Sequence, residues 1–599
     1  MKRWILRGMP PGDPEESVSF PRLGNNTARH TLLAERLGVP VAIVELLERR
    51  GVVTPDDMNG FLSPLLRQLA PPERWPGLLE TVEVLTQAIL EGREVLVWGD
   101  YDVDGVTGST LCMEVLQHHG VAAQVHLPDR QTEGYGVNTG ALERLHSACM
   151  NKAGQVLLTV DCGISDVEPV ARARELGYVV VISDHHLPPE VLPNAHAICN
   201  PRLHEDSPCP YLAGVGVAFF LMAALNRRLA LERGTAPLDM RRVLDLVALG
   251  TLADMVSLTG QNRILAKNGL LCLSEAVRPG LAELKSVSGY SRMATLGAGQ
   301  VVFSLAPRIN AAGRVGSAMD AFLLLSGQAG SACASLAQRL DRLNAERRAE
   351  EEQIVTEARA QAEELLGQRP ELTALVLYQP DWHPGIIGIV ASRLVEAFYR
   401  PILVLCRIGV DEQGIDILKG SGRSIQEFDL HAGLSACSGL FLGFGGHRQA
   451  AGLSMKGDNL EPLRQRFHEV VCASVGADPV CPSLMVDGEL PFALASDFSF
   501  LKAVELLQPF GMGNPEPVFV STPLILRSIR SFGPKREHLT LRVEEAESGI
   551  SLQAKLWRKA ALFPDVHTGQ QIRLAFSPCI NTYNGVASVE LIVRDWTLR

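Results

Sequence analysis

The sequence lacks several features that would assign it to a particular class of protein. Its twelve cysteines include no CxxC pair and no zinc-ligand spacing, so we expect reduced, mostly buried thiols in a cytosolic setting. No apolar signal segment is present at the N-terminus, and the longest strongly apolar run, Val215 to Leu225, is too short to cross a bilayer. Because the net charge is −11, any nucleic-acid site must be a local basic groove on an acidic protein. We therefore expect a soluble cytoplasmic protein.

The length of 599 residues and a hydrophobic content of 46% predict three or four domains, each with its own core. From about residue 85, strand-like and helix-like segments alternate, which is typical of a parallel α/β sheet. The predicted strands are 94–99, 122–127, 155–160 and 178–183, and the first predicted helix is 107–118.

Three aspartates directly follow the first predicted strand of this sheet. Asp100, Asp102 and Asp104 stand at alternate positions, and in an extended segment such residues point to the same side. Carboxylates this close repel one another and raise one another's pKa values, and hard cations such as Mg²⁺ or Mn²⁺ remove that cost. A solvated acidic loop is the alternative, because Asp is also a common turn residue.

Two further predicted strands also end in acidic or imidazole groups. Asp161 follows the strand 155–160, and Asp184, His185 and His186 follow the strand 178–183. Ligands of open α/β sheets bind at the carboxyl ends of the strands, so we expect these groups to form one site. Taken singly, Asp161 could be a helix N-cap, and one of the histidines could be a packed core residue.

Asp254 follows an apolar predicted helix over 243–251. A lone carboxylate in apolar surroundings is costly unless it is paired or bound to a metal. From the sequence, Asp254 could be either a helix N-cap or a metal ligand. The acidic residues upstream favour the role of metal ligand.

The second half of the chain predicts three more elements. The segment 337–366 is rich in Ala, Glu and Arg and predicts a long exposed helix that acts as a spacer. A second α/β lobe over about 370–480 contains three glycine-containing loops, at 381–385, 420–424 and 443–448, which suit close approach to phosphate or are ordinary turns. Short alternating strands from about 485 predict a small barrel, whose basic and aromatic residues suit either a single-strand surface or a solvated structural barrel.

Taken in order, the motifs resemble those of the DHH phosphoesterase superfamily and its DHHA1 domain, and the whole chain resembles the RecJ family of single-stranded-DNA-specific 5′→3′ exonucleases. The segments that carry the resemblance are GDYDVDG (99–105), VDCG (160–163), SDHH (183–186), GTLAD (250–254), RINAAGR (308–314), SGRS (421–424), GGHRQAAG (445–452) and PFGMGN (509–514).

The resemblance implies an α/β protein with a parallel-sheet DHH domain, a long connecting helix, a smaller α/β DHHA1 domain and a C-terminal OB-fold-like β-barrel. The implied division is an N-terminal helical lead-in packed on the DHH domain (1–85), the DHH catalytic domain (86–335), the connecting helix (336–366), the DHHA1 domain (367–480) and a nucleic-acid-binding OB-fold (481–599).

The implied activity is exonuclease hydrolysis of single-stranded DNA in repair and recombination, with release of 5′-mononucleotides. It would use two divalent cations, Mn²⁺ or Mg²⁺, with the strand held between the DHH and DHHA1 lobes. A single-strand DNA-binding protein and a helicase are the implied partners. Two alternatives stay open: a phosphodiesterase for nanoRNA or a cyclic dinucleotide, and a non-catalytic single-strand DNA-binding scaffold.

The resemblance also implies roles for individual residues. The implied metal ligands are Asp100, Asp102, Asp104, Asp161, His185 and Asp254, with Asp161 bridging the ions. The implied catalytic residues are Asp161, His185 and His186, and the implied substrate-binding residues are Arg130, Tyr135, Arg308, Asn310, Arg314, Ser421, Arg423 and His447. In one departure, Trp98 stands where many DHH enzymes have a metal-binding histidine, so Asp100 is expected to replace that ligand.

Overall fold

The structure is a computed structural model that describes residues 2–8, 20–24, 27–148, 154–563, 566–583 and 586–598. The chain divides into two compact units. The first contains Met1–Asn310, Ala318–Ala337 and Ser483–Arg599, and the second contains Ala311–Ser317 and Gln338–Pro482. The five-part division implied by the resemblance stays a prediction.

The N-terminal part of the first unit has one short strand and four helices. They are β1 (Arg3–Leu6), α1 (Ala28–Leu37), α2 (Val41–Arg49), α3 (Pro55–Leu62) and α4 (Leu78–Leu90). The Thr27 side chain caps α1 by accepting a hydrogen bond from the His30 backbone, and Gly38 ends the helix in the left-handed conformation. Leu46 and Leu47 of α2 are fully buried in a core shared with the C-terminal segment.

The next part of the unit contains a five-stranded parallel sheet. Its elements are β2 (Glu94–Gly99), α5 (Val103–His118), β3 (Ala123–His126), α6 (Thr139–Ala148), β4 (Gln155–Val160), α7 (Val167–Glu175), β5 (Val179–Ser183) and β6 (Ala197–Cys199). The strand order is β3-β2-β4-β5-β6, with every neighbouring pair parallel. The predicted parallel sheet is confirmed, and the central strands β2, β4 and β5 are largely apolar and buried, as is typical of a sheet that helices cover on both faces.

Helices follow the sheet. They are α8 (Gly214–Arg233), α9 (Leu244–Ala253), α10 (Gly260–Glu275), α11 (Pro279–Val287), α12 (Ala298–Gln300), α13 (Ala306–Val315), α14 (Ala318–Ser326) and α15 (Cys333–Gln368). The apolar run noted in the sequence lies in α8. This helix is long and apolar enough to cross a membrane by length and composition alone, but 72% of that window is buried inside the protein.

The predicted long helix is present as α15, but the prediction that it is exposed is wrong for one face. Ile354, Ala358 and Ala362 are buried in the core of the second unit. The carboxylate of Glu351, only 2% exposed, pairs with Arg347 and Arg393. The alanine-rich and charged composition suggested that the whole helix is exposed to solvent. Ile354, Ala358 and Ala362, however, recur at helical spacing and so form a buried stripe along one face.

The second unit is an α/β lobe with a mixed sheet. Its elements after α15 are β7 (Leu375–Tyr378), α16 (Ile387–Phe398), β8 (Ile402–Val410), β9 (Asp416–Arg423), α17 (Leu430–Ser435), β10 (Gly443–Gly446), β11 (Ala450–Lys456) and α18 (Leu460–Val475). The strand order is β10-β11-β9-β8-β7, and only β7 and β8 run parallel.

Two of the three predicted glycine-containing loops are largely strands. Residues 420–423 belong to β9, and residues 443–446 form β10. Glycine is needed in β9 for packing, because a Cβ at Gly422 would lie 2.6 Å from the Leu403 side chain and one at Gly420 would lie 2.9 Å from Leu453. The third predicted loop, 381–385, does connect β7 to α16.

The C-terminal segment is a closed barrel preceded by short elements. These are β12 (Ser483–Val486), α19 (Phe492–Ala495), α20 (Phe498–Glu505), β13 (Phe519–Val520), β14 (Leu524–Phe532), β15 (His538–Glu545), β16 (Ser551–Leu556), β17 (Gln571–Tyr583) and β18 (Val586–Leu598). The order β13-β17-β14-β15-β16-β18, with β17 also paired to β18, closes a five-stranded barrel. The predicted small barrel is confirmed.

Candidate metal centre

The three aspartates after β2 do gather at one end of the sheet, but not by the predicted route. The chain is not extended through them, because α5 begins at Val103. Asp102 is the N-cap of this helix, and its Oδ1 accepts from the backbone N–H groups of Asp104, at 2.9 Å, and Gly105, at 3.2 Å. A Cβ at Gly105 would lie 2.5 Å from the Asp100 backbone, so this tight turn into the helix requires glycine.

The Asp104 carboxylate lies in the first turn of α5 and faces the start of α8. Its two oxygens accept hydrogen bonds from the backbone N–H groups of Gly214, at 2.7 Å, and Val215, at 2.8 Å. Helix N-termini favour negative charge. Even so, burial and then the neighbouring charge of Asp102 raise the pKa of Asp104 to about 7.

Asp161, His185 and Asp254 meet beside these aspartates. The Nε2 atom of His185 lies 3.1 Å from Oδ1 of Asp161 and 3.7 Å from Oδ2 of Asp254. Asp161 follows β4 with a left-handed φ of 64°, a costly conformation for a residue with a side chain. The N-cap alternatives are wrong, because α7 begins only at Val167 and Asp254 is the C-cap of α9.

Asp184 organises the two histidines. Its carboxylate accepts from the backbone N–H groups of Ile164 and His185, and it lies 2.8 Å from Nδ1 of His186. Burial lowers the pKa of His186, but the hydrogen bond and charge of Asp184 outweigh it and the pKa is raised. Burial and then the charge of His186 lower the pKa of His185 to about 3, which keeps its ring neutral and able to bind a metal.

Three groups of side chains in the described part of the chain could each hold a metal ion. Their ligand atoms lie within 4.8 Å of one another: Asp100, Asp102 and Asp161; Asp104, His185 and Asp254; and Asp161, His185 and His186. Asp161 and His185 each belong to two groups, so the groups form one connected centre. Oxygen ligands with an imidazole suit Mn²⁺ and Mg²⁺.

Several of these ligand atoms are buried and make no hydrogen bond of good geometry, although His185 Nε2 lies near two of the carboxylates. They are Asp100 Oδ1, Asp161 Oδ1, His185 Nε2 and Asp254 Oδ2. Burying such groups unpaired costs several kcal/mol, on the order of the desolvation penalty for each. Burial and the surrounding carboxylates raise the pKa values of Asp100, Asp161 and Asp254 well above their ordinary range. Divalent cations would remove both costs, so the residues present fit such ions.

Among the predicted substrate residues, Tyr135 contacts this centre. Its hydroxyl donates to the backbone carbonyl of Asp161 at 3.2 Å and lies 3.1 Å from Nδ1 of His186, while 47% of the residue remains exposed. Arg130, in the same loop, lies with its guanidinium 5.1 Å from the ring centroid of Tyr101. The structure therefore places both residues beside the metal centre, and their roles towards substrate stay predictions.

Asn310 and Arg308 lie on α13. Asn310 accepts a hydrogen bond from the Val103 N–H at 3.3 Å, so it touches the first residue of α5 beside the centre. The Arg308 guanidinium donates to the backbone carbonyls of Ser304 and Val287. Much of its donor capacity thus serves the protein backbone, and its role in a groove stays a prediction.

Three of the predicted substrate-binding residues lie around the N-terminus of α16 in the second unit. Ser421 and Arg423 are neighbours on one face of β9, with Arg423 Nη1 3.3 Å from Ser421 Oγ. A Cβ at Gly388, in the first turn of α16, would lie 2.9 Å from that hydroxyl. Arg314 donates to the carbonyl of Gly385, in the loop that leads into the helix. Helix N-termini bind anions, so this arrangement suits a phosphate.

His447 lies in an exposed turn between β10 and β11. Its backbone N–H donates to the carbonyl of Ala450 at 2.8 Å. Gly446, just before it, has a φ of 146°, and a Cβ there would lie 2.4 Å from the same carbonyl. The turn is thus fixed by its backbone, and a phosphate contact by His447 stays a prediction.

The barrel carries an aromatic cluster formed by Phe532, His538 and Trp557. The ring centroids of Phe532 and Trp557 are 5.3 Å apart, those of His538 and Trp557 are 4.9 Å apart, and Trp557 is 47% exposed. Exposed basic residues of neighbouring segments include Arg530 and Arg558. Exposed aromatic rings with nearby cations are typical of surfaces on which bases stack.

Two glycines are essential to the geometry: Gly250, the first residue of the GTLAD motif, and Gly214, which we did not single out from the sequence. A Cβ at Gly214 would lie 2.5 Å from Oδ1 of Asp161, and one at Gly250 would lie 2.8 Å from Oδ1 of Asp104. Both helices can approach the carboxylates only because these positions have no side chain. The signal available in the sequence was the glycine-rich start of the apolar segment at 214–220.

Arg202 was also missed. Burial raises the pKa of Asp254, and the positive charge of Arg202 opposes that rise, so the guanidinium lies close enough to act on the centre. The guanidinium also lies 5.5 Å from the ring centroid of the exposed Tyr211. The sequence contains no pattern that would reveal this, because Arg202 follows a short strand with no motif.

Three family models match the chain in the order of its segments. The "DHH family, N-terminal domain" model matches residues 94–251, the "DHHA1 domain" model matches 371–472, and the "RecJ OB domain" model matches 486–595.

Whole-chain similarity extends across nearly all residues. The chain is 37% identical over 581 residues to the single-stranded-DNA-specific exonuclease RecJ of Dickeya dadantii (strain 3937), which covers 94% of this chain and 96% of that protein. It also resembles the crystal structure of RecJ in complex with Mn²⁺ from Thermus thermophilus, with a TM-score of 0.80, 29% identity and coverage of 100% of this chain and 80% of that one. The crystal structure of the Mg²⁺ complex from the same organism gives a TM-score of 0.73 at 28% identity, with coverage of 100% and 78%.

Proposed function

We propose that this chain, which belongs to the RecJ family of single-stranded-DNA-specific exonucleases, hydrolyses single-stranded DNA from the 5′ end. It would release 5′-mononucleotides and act in repair and recombination. The observation that carries the proposal is the connected set of ligand groups around Asp161 and His185. The resident cofactors are Mn²⁺ or Mg²⁺, which RecJ structures from a relative contain.

The residues would divide the binding of two ions between them. Asp100, Asp102 and Asp161 would hold one, and Asp104, His185 and Asp254 would hold the other, with Asp161 between them. When bound, such a pair supplies an activated water and stabilises the attacking and leaving oxygens of an in-line displacement.

His186 would act on the phosphate directly. Asp184 fixes its ring by accepting from Nδ1, which leaves Nε2 for substrate or solvent. The same carboxylate raises the pKa of His186 against the opposing effect of burial, so the ring can carry a proton near neutral pH. A protonated His186 would hydrogen-bond a phosphoryl oxygen and offset the negative charge that grows there.

Selection of a 5′ end would depend on phosphate binding in the second unit. Ser421, Arg423 and Arg314 surround the N-terminus of α16, and the Arg423 guanidinium can hold a phosphate through two parallel hydrogen bonds. We assign His447 a supporting phosphate contact. In the first unit, Arg130, Arg308 and Asn310 would contact the phosphates on either side of the scissile bond.

The barrel favours a long strand over a dinucleotide. The Phe532–His538–Trp557 cluster offers stacking surface that a two-nucleotide substrate does not need. The complete set of ligand residues around Asp161 argues against a non-catalytic scaffold.

We also propose a cytoplasmic setting and two partners. The cysteines that the structure describes all have free thiols, as is usual where glutathione keeps proteins reduced. The partners would be a helicase that exposes single strands and a single-strand DNA-binding protein that keeps them open. A several-fold increase in the rate of duplex resection on adding the two partners would support their role, and an unchanged rate would oppose it.

The test uses single-stranded oligonucleotides labelled at the 5′ or the 3′ end, and a matched duplex, with Mn²⁺ or Mg²⁺. We expect mononucleotides to appear first from the 5′ end of the single strand only. Asp161→Ala should abolish cleavage, whereas Asp239→Ala should not, because Asp239 is an exposed helix cap whose carboxylate pairs with Arg241. Cleavage of dinucleotides with intact long strands would instead support the small-substrate alternative, and tight binding without cleavage would support the scaffold.

A further inference from the structure

The loop 127–138 connects β3 to α6 and carries two of the proposed substrate residues, Arg130 and Tyr135. Tyr135 is the residue of this loop that reaches the metal centre, through hydrogen-bond distances of 3.2 Å to the Asp161 carbonyl and 3.1 Å to His186 Nδ1. Because the loop has no regular structure of its own, the position of the Tyr135 hydroxyl depends on what fixes the backbone on either side of it.

Trp98 fixes the backbone directly after Tyr135. Its indole N–H donates to the carbonyl of Gly136 at 3.1 Å, and the side chain is completely buried. The same ring lies 4.3 Å from that of His126, whose Nε2 is 2.8 Å from the Glu133 carboxylate earlier in the loop. Trp98 thus contacts the loop at Gly136, and it also packs against His126, which in turn contacts Glu133 of the loop.

Asp166 holds the next residue of the loop. Its Oδ2 accepts from the Val137 N–H at 2.7 Å. Gly134 and Gly136 have φ values of 84° and 83°, and a Cβ at Gly136 would lie 2.6 Å from the Asp166 carboxylate. The backbone around Tyr135 is therefore in a conformation that needs both glycines and is held from two sides.

We propose that Trp98 is a positioning residue for the exonuclease reaction: through the hydrogen bond from its indole N–H to Gly136, it sets the place of the Tyr135 hydroxyl against Asp161 and His186. The inference rests on the proposed function. It gives Trp98 a role other than that of the metal-binding histidine which many DHH enzymes have at this position. Its ring contributes no ligand atom here, but it acts on the same centre through the loop.

If Trp98 only packed in the core, its substitution would have different effects from those that a positioning role predicts. A packing role depends on the volume of the ring, and Trp98→Phe keeps most of it. A positioning role depends on the N–H, which phenylalanine lacks. If Trp98 acts through Tyr135, the loss of kcat that Trp98→Phe causes must disappear when the Tyr135 hydroxyl is absent. If Trp98 acts only by packing, the loss of kcat would persist without that hydroxyl.

The test compares Trp98→Phe, Tyr135→Phe and the double variant by kcat and KM on a single-stranded oligonucleotide. Trp75→Phe is the matched control, because the buried Trp75 indole also donates to a backbone carbonyl, that of Ala70 at 3.4 Å, in a segment outside the metal centre. We expect Trp98→Phe to lower kcat about five- to tenfold with little change in KM, as expected for about 1 kcal/mol from one hydrogen bond. In the Tyr135→Phe background the same change should cost less than about twofold, and Trp75→Phe should leave kcat unchanged.

A second readout does not need activity. Amide hydrogen exchange of the peptide covering 128–138 should become faster in Trp98→Phe and stay unchanged in Trp75→Phe. If wild-type protein cuts no strand but the exchange result holds, the proposed function fails and the positioning of the loop survives. Equal losses of kcat in the wild-type and Tyr135→Phe backgrounds, or unchanged exchange, would overturn the inference. If Trp98→Phe does not fold, Gly136→Ala replaces it in the same cycle. The new Cβ would lie 2.6 Å from the Asp166 carboxylate and so displaces the Gly136 backbone that the indole holds, and the loss of kcat must show the same dependence on Tyr135.

Discussion

Without divalent cations, the free energy of unfolding of this protein should fall as pH rises towards neutrality. Burial and then the charge of Asp102 raise the pKa of Asp104 to about 7 from its ordinary value of 3.8. The folded state therefore holds this proton more tightly than the unfolded state. The stabilisation that the Asp104 proton contributes is complete below the pKa that Asp104 has in the unfolded state. It is lost as pH rises through the pKa that Asp104 has in the folded state.

The size of the effect follows from the shift. About three pKa units correspond to about 4 kcal/mol for Asp104 alone. Between about pH 5.5 and about pH 7 the loss should be about 2 kcal/mol, because the slope is about 1.4 kcal/mol for each pH unit while only the folded state holds the proton. Asp100, Asp161 and Asp254 shift in the same direction and steepen the fall, whereas the lowered pKa of His185 opposes it over the range in which the unfolded histidine loses its proton.

Urea unfolding followed by tryptophan fluorescence measures this effect, in EDTA and in saturating Mg²⁺, across that pH range. Mg²⁺ binds the deprotonated carboxylates, so it should stabilise more at the higher pH and flatten the profile. Asp104→Asn removes the titrating proton and should show a shallower decline in EDTA than the wild type. Equal slopes for the two proteins, or a free energy of unfolding in EDTA that rises with pH over this range, would contradict a raised pKa at Asp104.

Three further outcomes follow from the site. Gly214→Ala should lower kcat more than tenfold, because the new Cβ would lie 2.5 Å from Asp161 Oδ1. Gly299→Ala should leave kcat unchanged, because a Cβ there would have no atom within 4 Å. The turnover of a labelled single strand measures both variants. Trp557→Ala should weaken binding of a long oligonucleotide by about 1–3 kcal/mol in fluorescence anisotropy, and unchanged affinity would remove the aromatic cluster from the strand path. Arg423→Lys should reduce the preference for a 5′-phosphate over a 5′-hydroxyl in initial rates, since lysine cannot bind bidentately; an unchanged ratio would place the 5′ end elsewhere.

The sheet and the outline of the centre could be predicted because each depends on local sequence. The buried strands β2, β4 and β5 are continuous apolar runs, and functional groups follow them directly at Asp100, Asp161 and Asp184. In a parallel sheet the carboxyl ends of such strands meet at one edge, so the gathering of these residues follows from the pattern.

Other features depend on contacts distant in sequence and were missed or misassigned. The turn into α5 at Asp102 is fixed by a helix cap, so the aspartates do not share one extended face. The glycines of β9 were assigned to a loop, although their role is to admit Leu403 and Leu453 from neighbouring strands. The place of Trp98 against Gly136 likewise depends on a partner 38 residues away, which no local pattern reveals.

The most direct test of the metal centre is Mn²⁺ binding measured by electron paramagnetic resonance, with cleavage of a 5′-labelled single strand followed on the same samples. For the wild type, we expect two bound ions per chain and activity that appears only as the ions bind. Asp161→Ala should lose tight binding of the pair together with cleavage, whereas Asp239→Ala should retain both. Full activity with no bound Mn²⁺, or two tightly bound ions in Asp161→Ala, would contradict a centre built around Asp161.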